Sequence, residues 1–154
     1  MLLTPHVFVG LAVAKVIPNP LIAVPLSLVL HFLGDKVPHW DFYSNTSKEK
    51  RLTGWRPVAV MADFGLGIAV GLTFTLYALW LKNDPSLAIR YFLCGIASVL
   101  PDALETPHIF TDTKYNWVEK LTQVQKKLQT QAPLPWGILT QVVIVAVCLL
   151  VAIS

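Results

Sequence analysis

Only 14% of the 154 residues are Asp, Glu, Lys or Arg, where soluble domains carry roughly 25%. Against that scarcity, 55% of positions are hydrophobic and the mean hydropathy is +0.60. The balance argues against a soluble domain and for an integral membrane protein. Cysteine is equally rare. Cys94 and Cys148 both lie in apolar runs, where a thiol behaves as a small hydrophobe, so neither a disulfide framework nor a CxxC metal motif is available. No Gly/Ser-rich linker, low-complexity segment or fixed-period repeat divides the chain, and residues 1–154 read as one domain. Ser-His-Asp, HExxH and Gly-rich phosphate-loop patterns are missing, which removes the commonest rival catalytic schemes. No basic residue precedes the first apolar stretch and Pro5-His6 interrupts it, so a retained N-terminus is expected in place of a cleaved signal peptide. The formal charge of +3 belongs to membrane topology in so apolar a chain, and nucleic acid is not expected as a partner.

What the sequence does contain is five apolar segments, at about residues 5–17, 20–34, 58–81, 87–104 and 136–153. The third and fifth reach the ~20 residues that cross a bilayer. The first two are short and joined by Pro18-Asn19-Pro20, a turn signal that makes them a tight helical hairpin. Residues 112–131 set Trp117, Val118, Leu121, Val124 and Leu128 at helical spacing among lysines and glutamines, the pattern of an interfacial amphipathic helix. The expected fold is therefore all-α, an integral membrane bundle of about five hydrophobic helices plus that interfacial helix. If the loops alternate sides, nine of the twelve cations fall with loops 35–57 and 105–135, leaving Lys15, Lys82 and Arg90 near the other face. The positive-inside rule then makes the cation-rich face cytoplasmic, with the N-terminus on that side.

The same face collects the ionisable residues of the apolar segments. His6, His31, His39 and His108 lie near it, together with Asp35, Asp41, Asp63, Asp102 and Glu105. Ionisable groups at membrane depth cost a few kcal/mol each, so they pair or hold an ion. The densest array is His31-x3-Asp35-x3-His39-x-Asp41. On a helix His31 and Asp35 stand one turn apart on one face, and Pro38 breaks the helix so that His39 and Asp41 follow on a turn. Imidazole with carboxylate suits Zn, Mn or Fe better than Ca or Mg. The alternative is a set of helix-end polar groups at headgroup level. In Leu100-Pro101-Asp102-Ala-Leu-Glu105-Thr-Pro107-His108 the two carboxylates share a face if the helix continues, and Pro107 should then turn the chain; Asp102 could equally be a helix cap. Asp63 is expected to find its partner in the metal cluster, and Gly65, Gly67 and Gly71 to permit close helix packing. Lys48-Glu-Lys-Arg51 with Arg56 offers cations to lipid headgroups or a phosphoester, or serves topology alone. Trp40, Trp55, Trp117 and Trp136 read as interface anchors.

Taken with Thr4-Pro5-His6, Gly10 and Leu100-Pro101-Asp102, the array His31-x3-Asp35-x2-Pro38-His39-x-Asp41 resembles small bacterial inner-membrane proteins of the membrane-bound metal-dependent hydrolase family, which look distantly like zinc-dependent phospholipase C. The match covers about the first 110 residues and its motifs are short. The resemblance implies a multi-pass helical hydrolase of the bacterial inner membrane with His6, His31, Asp35, His39, Asp102 and His108 at metal-binding positions. Zinc is the first expectation, with Mn or Fe as substitutes and one or two ions. The metal would activate a water and polarise a phosphoryl oxygen, Asp41 or Glu105 would accept the water's proton, and Arg51 and Arg56 would attract a lipid-like phosphoester substrate. A metal-ion or proton transporter, or a non-catalytic membrane protein, are the competing classes; a pathway would place polar groups at the midplane and far side as well.

Overall fold

A computed structural model of the chain describes residues 1–42, 46, 48–110 and 115–154, with the side chains of residues 48–49 and 106–110 outside the description. Every helix or strand it describes is helical: α1 (Leu3–Val16), α2 (Pro20–Gly34), a short α3 (Lys48–Arg51), α4 (Arg56–Leu76) running into a π-helical turn at Tyr77–Leu81, α5 (Pro85–Phe110), α6 (Asn116–Leu128) and α7 (Trp136–Ile153). Punctuation is local. Asn19 accepts from the Leu21 amide and Pro20 opens α2, a side-chain cap with proline in the first turn. Asn83, at φ 50°, closes the α4 segment, and Asp84 accepts from Leu87 to start α5.

Three segments, Arg56–Leu81, Pro85–Glu105 and Trp136–Ile153, are long and apolar enough to cross a membrane. At ~1.5 Å per residue, the 14 residues of α1 and 15 of α2 fall short of the ~30 Å hydrocarbon core. They are the short hairpin that Pro18-Asn19-Pro20 indicates. The surface of α2, α4 and α7 carries exposed Leu21, Val29, Met61, Ile68, Val143 and Leu150, an apolar exterior suited to lipid rather than water.

Helix α1 is the central post, with α2, α4, α5 and α7 packed around it. Its Val7, Phe8, Leu11 and Ala14 form the core with Ala23, Leu87, Tyr91 and Cys94. It has no side-chain cap of its own and no acidic residue in its first turn. Both ends are completed by neighbours. Asp63 of α4 accepts from the Leu3 amide (2.6 Å), the Thr4 amide (3.2 Å) and the Thr4 hydroxyl (2.6 Å), while Arg90 of α5 donates to the Ala14 carbonyl at 3.1 Å. A carboxylate on free N–H groups and a guanidinium on a free C=O also match the helix dipole. Asp63 therefore serves the start of α1, correcting the expectation that the metal cluster is its partner.

Three further expectations change. Helix α5 continues through Pro101 and Pro107 to Phe110, so Pro107 does not turn the chain. The amphipathic helix is confined to Asn116–Leu128, residues 112–114 lying outside the described residues. Its inward face is Val118 and Gln125, while Trp117 and Val124 are exposed. Among the small-residue positions of α4, Gly67 and Gly71 face Leu3 and Val7 of α1, but a Cβ on Gly65 would meet nothing within 4 Å.

Candidate metal centre

The end of the bundle that holds the start of α1 is stitched together by backbone. The Thr130 amide donates to Asp35 (2.9 Å), the His39 amide to Thr130 (3.0 Å), the Ala132 amide to His39 (2.8 Å) and the Trp40 amide to Gly137 (3.1 Å). The turn after α2 is thereby fixed to the segment between α6 and α7. Gln141 of α7 adds to this by accepting from Leu2 and donating to Trp40.

Inside that end, His6 of α1, His31 of α2 and Asp102 of α5 bring one ligand atom each to within 4.8 Å of one another. His6 and His31 are fully buried, their rings stacked at 4.1 Å. His31 Nε2 is 3.5 Å from Asp102 Oδ1 and 3.9 Å from Asp35 Oδ2, and His6 Nε2 is 3.3 Å from Asp35 Oδ1. Tetrahedral zinc with ~2.0–2.1 Å bonds separates its ligand atoms by about 3.3–3.4 Å; the His31–Asp102 approach matches that spacing, and His6 lies within 4.8 Å of both. The two sequence clusters, around Asp35 and around Asp102, meet here.

Tautomers are set by the backbone. His31 Nδ1 lies 2.8 Å from the Ser98 carbonyl and His39 Nδ1 lies 2.8 Å from the Val37 carbonyl. A carbonyl only accepts, so each Nδ1 carries the proton and each Nε2 presents a lone pair, the usual support of a ligating imidazole. Burial holds His39 below the ordinary imidazole pKa, and the Met1 ammonium adds to this against the Val37 carbonyl, Asp35 and Asp41. For Asp35 burial acts upward, but His6 and the Met1 ammonium, 2.6 Å from Oδ1, outweigh it and hold the carboxyl below its usual range.

Among the described residues, His6 Nδ1 and Nε2, Asp35 Oδ2 and His39 Nε2 are buried without a hydrogen-bond partner; the His6–Asp35 approach is an ion-pair contact, poorly aligned for a hydrogen bond. Each such atom costs about 1–3 kcal/mol. The His6 and Asp35 atoms stand against His31 and fit the chemistry of an imidazole–carboxylate metal ligand set.

Gln125, buried on α6, was not evident as a site residue from its sequence position. Its side-chain nitrogen is 3.2 Å from His31 Nε2 and 2.9 Å from Asp102 Oδ1. Both partners accept, so the NH2 end faces them. The available signal was a glutamine seven residues after Val118, on the face that buries that valine.

Beside the group is a cleft of about 150 Å³ lined by Asp41, Asp63, Asp102 and Glu105 with Met1, Leu3, Phe42 and Phe64. Asp41 and Glu105, the expected proton acceptors, thus share a cleft with a ligand residue. His39 stands outside the three-residue group. The His108 side chain lies outside the described residues. Arg56 donates through Nε to the Phe42 carbonyl at 3.1 Å and lies over the Trp55 ring, which ties it to the loop, and Arg51 ends α3. Set against family models, curated proteins and solved structures, the chain finds no match in any of the three.

Proposed function

We propose that the protein is a membrane-embedded, metal-dependent hydrolase that cleaves a phosphoester of a lipid or amphiphile at the cytoplasmic face of a bacterial inner membrane, its N-terminus on that side. The observation carrying this is the convergence of buried imidazole and carboxylate atoms from α1, α2 and α5 beside an acidic cleft. His6, His31 and Asp102 would hold the ion, with Asp35 against both imidazoles and His39 as a further donor. Zinc suits the donor set first, and Mn or Fe could replace it. A bound divalent ion would supply a water acidic near pH ~7 and polarise a phosphoryl oxygen. Asp41 or Glu105, both lining the cleft, would accept the proton of such a water. The Ser98 and Val37 carbonyls accept the Nδ1 protons of His31 and His39 and fix the orientation of both rings. Arg51 and Arg56 raise the local concentration of anionic headgroups, each worth ~1 kcal/mol near such a surface.

The test is elemental analysis of detergent-purified protein joined to turnover of lipid phosphomonoesters and phosphodiesters in mixed micelles with added Zn or Mn. His31→Ala and Asp102→Asn should each lose the metal and at least a hundredfold in turnover while the protein stays folded in the membrane. Protein that neither retains nor takes up Zn, Mn or Fe, or turnover that survives both substitutions at full rate, overturns the proposal.

A further inference from the structure

Between α1, α4 and α5 lies a second cavity of about 210 Å³, of opposite character to the acidic cleft. Val7 of α1, Gly67 and Gly71 of α4, and Phe92, Gly95 and Ile96 of α5 form its walls. The single hydroxyl on its lining, that of Tyr91, is turned to the Ala152 carbonyl at 2.7 Å, so the walls offer an occupant no polar side chain. An ion, a water chain or a polar substrate loses its hydration there without replacement. Hydrocarbon does not. The volume is below the ~300–1,000 Å³ of pockets that enclose a whole drug-sized ligand, and suits one linear chain.

Leu3 and Phe64 line both this groove and the cleft that holds Asp41, Asp102 and Glu105. The apolar groove and the polar cleft therefore adjoin at these two side chains, and the groove runs on along Gly71 and Leu72 in the spanning part of α4. Only an amphiphile satisfies both compartments together. We infer that the groove seats a single acyl chain of the substrate, its phosphoester head lying in the cleft beside the metal ligands; this rests on the phosphoester reading proposed above. Gly95 is the residue that leaves the groove room, because a Cβ there would meet nothing within 4 Å. A methyl group at 95 enters this space without touching the protein, and a longer side chain takes up more of it.

The experiment uses the full chain in phosphatidylcholine nanodiscs with trace lysophosphatidate bearing a diazirine near the end of its acyl chain, followed by photo-crosslinking and peptide mapping. Crosslinks should concentrate on residues 64–72 and 91–99, saturate with unlabelled lysophosphatidate, and fall about tenfold in Gly95→Leu with a smaller loss in Gly95→Ala. Gly71→Leu, whose Cβ would make only an ordinary 3.8 Å contact with Val7, gives the same reading should Gly95→Leu fail to fold. Crosslinks spread over α2, α4 and α7 in proportion to their exposed apolar surface overturn the groove, whatever the metal content. Groove-specific crosslinking in protein without metal or turnover instead leaves the acyl site standing and removes the hydrolase.

Discussion

Ser98 contributes only its main-chain oxygen to the candidate centre, yet that oxygen decides which nitrogen of His31 is free. Gln125 then competes for that nitrogen. With an ion held there, the His31 lone pair is committed and the Gln125 amide gives up that acceptor while keeping Asp102, so the amide stabilises the centre more while no ion is present. Gln125→Ala should accordingly destabilise metal-stripped protein by about 1–3 kcal/mol and loaded protein by less, since only the Asp102 bond is then lost, which makes the stabilisation on adding Zn larger than in the wild type. Thermal unfolding in detergent with chelator and with Zn checks this. Asp63 poses a simpler case, since it holds the first turn of α1 by three hydrogen bonds. Asp63→Ala should cost about 1–2 kcal/mol and Asp63→Asn less, because the amide oxygen still accepts; equal losses in the same melts would contradict the capping role. The sequence made His31 and Asp35 legible through their i, i+4 spacing, whereas the partner of Asp63 was not, because a carboxylate in an apolar segment announces a need without saying which neighbour meets it.

Among the helices, the contact between α1 and α5 sets the site. A Cβ on Gly10 would fall 2.5 Å from the Cys94 carbonyl and 2.8 Å from the Ser98 hydroxyl, so the two helices touch through backbone one turn from His6. Gly10→Ala pushes them apart and should cost about 1–3 kcal/mol as an overpacked contact, with zinc affinity falling as His6 and Asp102 separate. Gly65→Ala, where no atom lies within 4 Å, should leave both unchanged, and paired unfolding and zinc titrations decide between them. Helix α6 shows where periodicity stops. Val118, Leu121, Val124 and Leu128 mark the helix correctly as amphipathic, but the spacing does not say which residues meet the bundle, and Val124 is exposed while Gln125 is buried. Gln125 faces the bundle because the His31–Asp102 pair supplies two acceptors that only a polar residue can satisfy.

For the whole molecule, helix type, the short first hairpin and the approach of the Asp35 and Asp102 regions followed from segment lengths and turn residues. The centre's closing residue and the apolar groove did not, since they depend on how α1, α4, α5 and α6 rotate against one another. Both loops that flank the centre should face one side of the membrane. In a background with Cys94 and Cys148 replaced by Ala, cysteines at Lys50 and Thr130 should react with an impermeant maleimide from one side and one at Ser86 from the other; opposite reactivity of positions 50 and 130 would break the assembly of a single centre. The external capping of α1 bears on how the chain is made. Residues 3–16 leave the ribosome well before Asp63 and Arg90, the groups that complete their two ends. Until α5 is synthesised, the central helix lacks both the arginine that completes its far end and the helix it packs against through backbone, so the bundle closes around its oldest segment late, and a nascent chain halted before residue 90 carries its future core only partly enclosed.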